Sequence, residues 1–336
     1  MGKVFINGLG FVNAQFIDEI NEDFSELTTH ITKAKLPILK EIISPAMSRR
    51  MASGVKMGIY AAKKALDEAD IKNPEAIITG TALGCLVDSE KFLTNIIQNN
   101  EEFLTPTAFI QSTHNTVGSQ IALHLNCNAY NFTYTNGFNS FENALLDGYL
   151  QIEANEIENA LVGGIDEIGE RTYQLQQLIG EISSDNNEGK KYSEGAHFFT
   201  LSKNKTENSY AELVDVFIKN EYQSTDLFSE ILKFIELNNF NLSDINAIIN
   251  GEDSLDNELK SNDLINTIPF FTYKDFIGEY GTSSSFAMTL GCLLLKNKTL
   301  PKQFMLNNLE STEYKNVLLV NGHKGKDLSL VLLQSV

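Results

Sequence analysis

The chain has 336 residues, room for one large domain or two ordinary ones. Hydrophobic residues make up 42% and charged residues 21%, a globular balance that excludes disorder as the main state. The net charge of −18 sets most of the surface against nucleic acid and anionic lipid.

From the N-terminus, Lys3 to Gly8 reads as a strand that ends at glycines. Gly8 and Gly10 make no GxGxxG, and no nucleotide role is assigned to them. The stretch 47–70 predicts one long amphipathic helix, with Met51, Val55, Ile59, Ala62 and Leu66 at three- and four-residue steps. AIITGTALGCL reads as a buried strand entering a glycine turn, 115–125 as a helix, and YNFTYT (130–135) as a strand of β-branched and aromatic residues. A helix capped by Asn139 or Ser140 follows, with Phe141, Leu145 and Ile152 as its apolar stripe. ALVGG (160–164) is a buried strand, 183–193 a polar loop, and SEGAHFFTLSKN a strand with a glycine entry.

The second half follows a similar order, with a strand in SYAELVDVFIK, a helix over 224–238, a strand in DINAIINGEDS and a small-residue helix over about 282–296. Two apolar strands around a glycine turn end the sequence. The alternation predicts α/β layers, and two halves of similar order divided near residue 205 fit a duplication.

Cys85, Cys127 and Cys292 are few and far apart, with no CxxC, which points away from a disulfide framework and toward a reducing, cytoplasmic setting. No metal-ligand spacing, Ser-His-Asp frame or GxSxG is present, so no metal or cofactor is expected. No apolar run reaches the roughly 18 residues of a membrane span, and MGKVFINGLGFVN lacks a signal peptide's long apolar region. Residues 33–64 carry Lys33, Lys35, Lys40, Arg49, Arg50, Lys56, Lys63 and Lys64 against Glu41 alone. A solvated face is the plainer reading of that run; a docking patch for an acidic partner is the sharper one.

Several segments, in order, resemble the β-ketoacyl synthases. The stretch from FIQSTHNTVGSQIAL through LVGGIDE matches the family's helix, strand, nucleophile-bearing helix and Gly-Gly strand, with Gly163, Gly164, Asp166 and Glu167 at its end. SEGAHFFTL resembles the Gly-Glu-Gly-Ala strand, with Ser193 for the first glycine. YKDFIGEYGTSSSFAMTLGCLLLKNKTLP resembles the Lys…Gly-His…Gly segment, and NGHKGKDLSLVLL the final glycine-rich turn. The resemblance covers nearly the whole chain and implies a thiolase-like α-β-α-β-α sandwich of two duplicated halves, 1–204 and 205–336.

The departures carry the functional expectation. In the active family a Cys stands at the N-terminus of the central helix, where the helix field favours a thiolate. Counting from Gly163 places Phe138 there; a slip of one gives Gly137 or Asn139, no better as nucleophiles. Cys127 falls a whole strand too early. The first histidine motif aligns with IINGEDSLDN, where Asn250 matches, Gly251 replaces Ala and Glu252 takes the His place. The second aligns with KDFIGEYG, where Lys274 and Gly278 match and Glu279 takes the His place.

Joint loss of all three identities resembles the chain length factors, the silent partners of ketosynthases in type II polyketide systems, with the nearest likeness to aryl polyene and flexirubin-like pathways. The resemblance implies an active ketosynthase as heterodimer partner, an acyl carrier protein docking mainly on that partner, and strand 130–135 in the dimer seam. Phe103, Leu104, Phe109, Gln111, His114 and Asn115 are the tunnel or interface candidates. Phe138 is expected as a core aromatic, and Glu252 and Glu279 as solvated or salt-bridged groups, with Lys274 a candidate partner. Two other readings stay open: a homodimeric thioester enzyme rebuilt around Glu252 and Glu279, and a silent scaffold for acyl carriers.

Overall fold

The computed structural model describes residues 2–15, 20, 23–102, 104–182, 190–252, 255, 267–309, 311 and 313–336. Among them, ten strands form one hydrogen-bonded sheet: β1 (Val4–Val12), β2 (Ala76–Gly80), β3 (Tyr130–Tyr134), β4 (Asn159–Asp166), β5 (Gly195–Ser202), β6 (Ala211–Asn220), β7 (Ala247–Gly251), β8 (Phe270–Thr272), β9 (Asn316–His323) and β10 (Asp327–Gln334). Their order is β3-β2-β4-β5-β1-β6-β10-β9-β7-β8. Divided between β1 and β6, the order is 3-2-4-5-1 and, from the far edge, 8-7-9-10-6. Each strand has its counterpart five strands later. The pairings correspond too: β2 is parallel to β3 and β4, as β7 is to β8 and β9, while β5 and β10 run antiparallel to both their neighbours.

The described helices are α1 (Pro45–Ser48), α2 (Ser53–Glu68), α3 (Leu86–Gln98), α4 (Pro106–Ser112), α5 (Thr116–Leu125), α6 (Ser140–Glu153), α7 (Glu170–Leu178), α8 (Leu227–Leu237), α9 (Lys274–Ile277) and α10 (Ser284–Asn297). Side chains on a strand alternate between faces, so adjacent residues serve different cores. Ile77, Leu161 and Phe198 pack outward with Val55 and Ile59 of α2 and Ile121 of α5. Their neighbours Ile78, Val162 and Phe199 face inward, into one core with Phe141 and Leu145 of α6 and Phe286 and Leu290 of α10. That core also takes Ile249, Leu319 and Val331, whose neighbours Ile248, Leu318 and Leu330 pack outward against Ile231 and Phe234 of α8. The result is the five-layer α-β-α-β-α sandwich the resemblance implied, with α6 and α10 between the two half-sheets.

Three details differ from the sequence reading. First, β1 continues through Gly8 and Gly10 to Val12. The glycines do not end it; they let α2 approach, because a Cβ on Gly8 would collide with the Ala65 carbonyl oxygen and one on Gly10 with that of Ala61. Second, the helix predicted over 47–70 begins at Ser53, and Pro45–Ser48 forms a separate turn capped by the Ser44 hydroxyl. Third, α3, α4, α7 and β8 gave no local signal. No residue of α3 is buried and only Tyr173 of α7 is, so neither has a core-facing stripe to read. Of the polar loop expected over 183–193, positions 183–189 lie outside the described residues.

Candidate functional site

β3 leads into a tight turn, Gly137–Asn139, and then into α6. Gly137 sits at φ +59°, the left-handed conformation that glycine adopts without penalty. Ser140 laces the turn: its Oγ accepts from the Asn136 N–H at 2.8 Å and donates to the Gly137 carbonyl at 2.7 Å. Asn139 donates to Asn220 Oδ1 at 3.2 Å, tying the turn to the second half.

Phe138 projects from this turn, half-buried rather than in the core as expected. Its ring stacks on the His323 imidazole, with centroids 3.5 Å apart and planes 5° from parallel. The Asp327 carboxylate stands close to this turn, and the Phe138 N–H favours its charged form. His323 ends β9 and Asp327 begins β10, so the final turn of the chain closes over the start of α6. The His323 Nδ1 lies 3.4 Å from Glu279 Oε1. Burial pushes that imidazole down to about 4, against the pull of Glu279, so it is neutral at pH 7 and the contact is not an ion pair there.

Glu279 is itself buried, with 7% of its side chain exposed, and is bound by Lys274 at 3.2 Å and approached by Lys190 at 4.0 Å. Burial alone would raise its carboxyl; Lys274, Lys190 and His323 together hold it below the ordinary range. Of the two alternatives read from sequence, solvated or salt-bridged, the structure shows the salt bridge, and with Lys274 as the partner. Glu252 is buried too. Its N–H donates to Asn250 Oδ1 at 2.9 Å and its carbonyl accepts from Asn250 Nδ2 at 2.9 Å. Both glutamates line a recess of about 110 Å³, together with Lys190, Lys191 and Lys274.

A larger cavity of about 850 Å³ opens in front of Phe138, His323 and Glu279. Its walls include Asp166, Glu167, Ile168, Tyr173, Tyr192 and Tyr280. Asp166 accepts from Thr81 Oγ1 and from the Ala82 and Leu83 N–H groups, each at 2.9 Å. Glu167 accepts from Gly54 N–H at the start of α2 and from Val87 N–H, at 3.1 Å, at the start of α3. Burial pushes Glu167 up to about 7. These two acids fasten loops and helix starts to the end of β4, a structural task.

None of the described tunnel or interface candidates lines the 850 Å³ cavity. Phe103 lies outside the described residues. Leu104 is half-buried, and Phe109, His114 and Asn115 are exposed. Phe109 packs its ring on Phe92 with centroids 5.4 Å apart. Gln111 is buried, its side-chain oxygen accepting from the Ala52 N–H at 3.3 Å. The three thiols also stand apart: Cys85 and Cys292 are buried, and half-buried Cys127 donates to the Pro74 carbonyl at 3.3 Å. Of the basic run, Lys33 is bound to Glu194 at 3.1 Å and Lys63 pairs with Asp67. Sequence reasoning missed His323 and Asp327, which lie far along the chain from Phe138. Their segment carried one signal, its likeness to the family's final glycine-rich turn.

Residues 25–181 match the family model described as β-ketoacyl synthase, N-terminal domain. Comparison with curated proteins finds no match. The fold aligns over its full length with solved ketosynthases. A β-ketoacyl synthase from Burkholderia phymatum STM815 is 15% identical at a TM-score of 0.79, with 100% of each chain covered. The ishigamide ketosynthase/chain length factor is 15% identical at 0.80, covering 100% of this chain and 99% of that one. A ketosynthase in complex with its chain length factor from Xenorhabdus doucetiae gives 13% and 0.74, covering 100% and 98%. The chain therefore has the ketosynthase fold, a mixed α/β sandwich of the thiolase-like kind.

Proposed function

We propose that this protein is a catalytically silent, chain length factor-like subunit that pairs with an active ketosynthase. The observation that carries the reading is Phe138 at the turn into α6, where the resemblance places the nucleophile. A phenyl ring cannot attack a thioester, and none of the three thiols lines the cavity in front of it. The histidine positions support the same reading, since Glu279 is bound by Lys274 and Glu252 is buried beside Asn250. Solved relatives of the same fold include a ketosynthase with its chain length factor and a type II polyketide acyl carrier protein in complex with its ketosynthase.

In this reading the partner carries the Cys-His-His set and most of the carrier-protein docking. This chain contributes half of the interface through β3, whose Tyr130 and Phe132 are exposed, and helps bound the acyl tunnel near Phe109, His114 and Asn115. Halves 1–204 and 205–336, a cytoplasmic setting and an aryl polyene-type pathway belong to the same proposal. The test is co-purification from the native host with mass identification. A stoichiometric ketosynthase with intact Cys-His-His is the expected result; recovery of this chain only with itself would overturn the reading.

The shared recess gives the rebuilt-enzyme reading one observation of its own, because Glu252 and Glu279 both line it. Its volume, about 110 Å³, suits a few waters rather than a thioester. Thioesterase or acyltransfer activity abolished in both Glu252→Gln and Glu279→Gln would favour it over the silent subunit.

A further inference from the structure

A helix N-terminus is a favourable place for negative charge, because its first N–H groups are unsatisfied and its dipole points there. At the start of α6 this chain supplies the charge itself. Asp327 lies against the turn, where the Phe138 N–H favours its charged form and a Cβ on Gly137 would come 3.4 Å from its Oδ2. Two residues along β10, on the same face, Ser329 donates to Glu142 Oε1 at 3.0 Å. Glu142 is fully buried in the first turn of α6. Neither carboxylate has an ion-pair partner among the described residues.

The other charged groups nearby do not cancel these two. His323, stacked on Phe138, is neutral at pH 7. Lys274 and Lys190 are directed to Glu279, and Lys324 to Glu181 at 3.0 Å. Lys326 pulls on Asp327, but burial outweighs it and raises the Asp327 carboxyl, while Asp327 in turn adds to the raising of Glu142.

We propose that the turn into α6 is closed to any external or side-chain anion by Asp327, whose carboxylate already stands against it, with Glu142 buried behind it in the first turn of the helix. The site is then silent for two independent reasons. It lacks a nucleophile, and its electrostatics oppose one. A thiol returned to position 138 would stand beside the Asp327 carboxylate and remain protonated. The inference deepens the silent-subunit reading and takes from it only the equivalence of position 138 with a nucleophile position. Failure to recover a ketosynthase partner would overturn that reading and leave the local field as measured.

The experiment uses the full chain with Phe138→Cys, alone and combined with Asp327→Asn. Position 138 borders the 850 Å³ cavity and is reachable by small alkylating agents. Peptide-resolved alkylation against pH gives the thiol pKa separately from Cys85, Cys127 and Cys292. The expected value for Phe138→Cys alone is at or above the ordinary figure of about 8.5. Adding Asp327→Asn should lower it by more than about one pH unit and raise alkylation at pH 7 roughly tenfold. A thiol pKa below about 7.5 in the single variant, or equal values in both, would overturn the proposal. Asp327→Asn with Phe138 intact gives a readout that needs no new thiol. Millimolar sulfate at matched ionic strength should raise the melting temperature of that variant and not that of the parent chain; an equal response in both would also overturn it.

Discussion

The Phe138 ring lies face to face on the His323 imidazole, 3.5 Å between centroids and 5° between planes, although 185 positions separate them in sequence. The pair joins the turn before α6 to the turn after β9, at the boundary between the two half-sheets. It also keeps water from one face of the imidazole, part of the burial that holds His323 neutral.

The stack predicts an unusual histidine titration. His323 is pushed to about 4 and His197, fully buried, to about 3, both by burial and both below the unfolded value of about 6.5. The unfolded chain therefore binds more protons between these values. Stability that is complete above pH 6.5 is lost as pH falls toward 4. NMR of the ring protons should show neither imidazole protonating between pH 7 and pH 5.5. Phe138→Ala should raise the His323 pKa by about one pH unit or more by admitting water to that face.

Glu142 predicts the opposite slope at higher pH. Burial pushes it up to about 7, so its contribution is complete below pH 4.5 and declines as pH rises through 7. By itself it makes the chain about 3 kcal/mol less stable at pH 8 than at pH 4, since each tenfold difference in proton affinity between the folded and unfolded chain is worth roughly 1.4 kcal/mol. Denaturant titrations at pH 5 and pH 8 should show a smaller difference in Glu142→Gln than in the parent chain.

The Glu279–Lys274 pair gives a double-mutant test. Glu279→Gln leaves Lys274, whose side chain is 20% exposed, without its carboxylate and should cost about 2–3 kcal/mol. Glu279→Leu with Lys274→Met should recover most of that loss, since the pair's desolvation is removed together with its attraction. Additive losses in the cycle would show that the two residues act separately.

Gly10→Ala should be among the most damaging single-methyl additions in the chain. The new Cβ would meet the Ala61 carbonyl and force α2 off β1. A loss of about 3 kcal/mol or more is expected in urea unfolding. The same substitution at Gly180, where nothing lies within 4 Å, carries only the backbone cost of its φ of +76°.

Phe109 separates interface from core. It is 55% exposed, so Phe109→Ala should change the stability of the isolated chain by less than about 1 kcal/mol. On the proposed pairing with a ketosynthase, it should weaken association or lengthen the product, read by analytical ultracentrifugation and by product mass. No change in either would remove Phe109 from the interface and the tunnel alike.

What could be read in the sequence follows physical range. The layers were legible because Ile77 and Ile78, or Leu318 and Leu319, are apolar neighbours that only a strand buried on both faces requires. The place of Phe138 just before α6 was legible because the helix start was read at Asn139 or Ser140. Its surroundings were not: an aromatic residue at the mouth of a cavity has the same local pattern as one in a core. His323 and Asp327 were illegible as site residues because their roles depend on the β9–β10 turn folding back over α6, a contact with no local pattern. The ion pair of Glu279 with Lys274 was legible from their closeness in sequence. The burial of Glu279 was not, because that is set by residues 190–193 packing alongside it.

The two ends of the ten-stranded sheet are unequal. β8 is three residues long, and its outer side is taken by the chain itself, with Phe271 bridged to Met305 and the Leu306 N–H on the Phe270 carbonyl at 2.8 Å. β3 is five residues long, ends the sheet on the other side and carries exposed Tyr130 and Phe132. Among the described residues the sheet therefore has one open edge. Strand addition at β3 would use up that edge, so growth by this route would end after a single partner and would not propagate into a fibre.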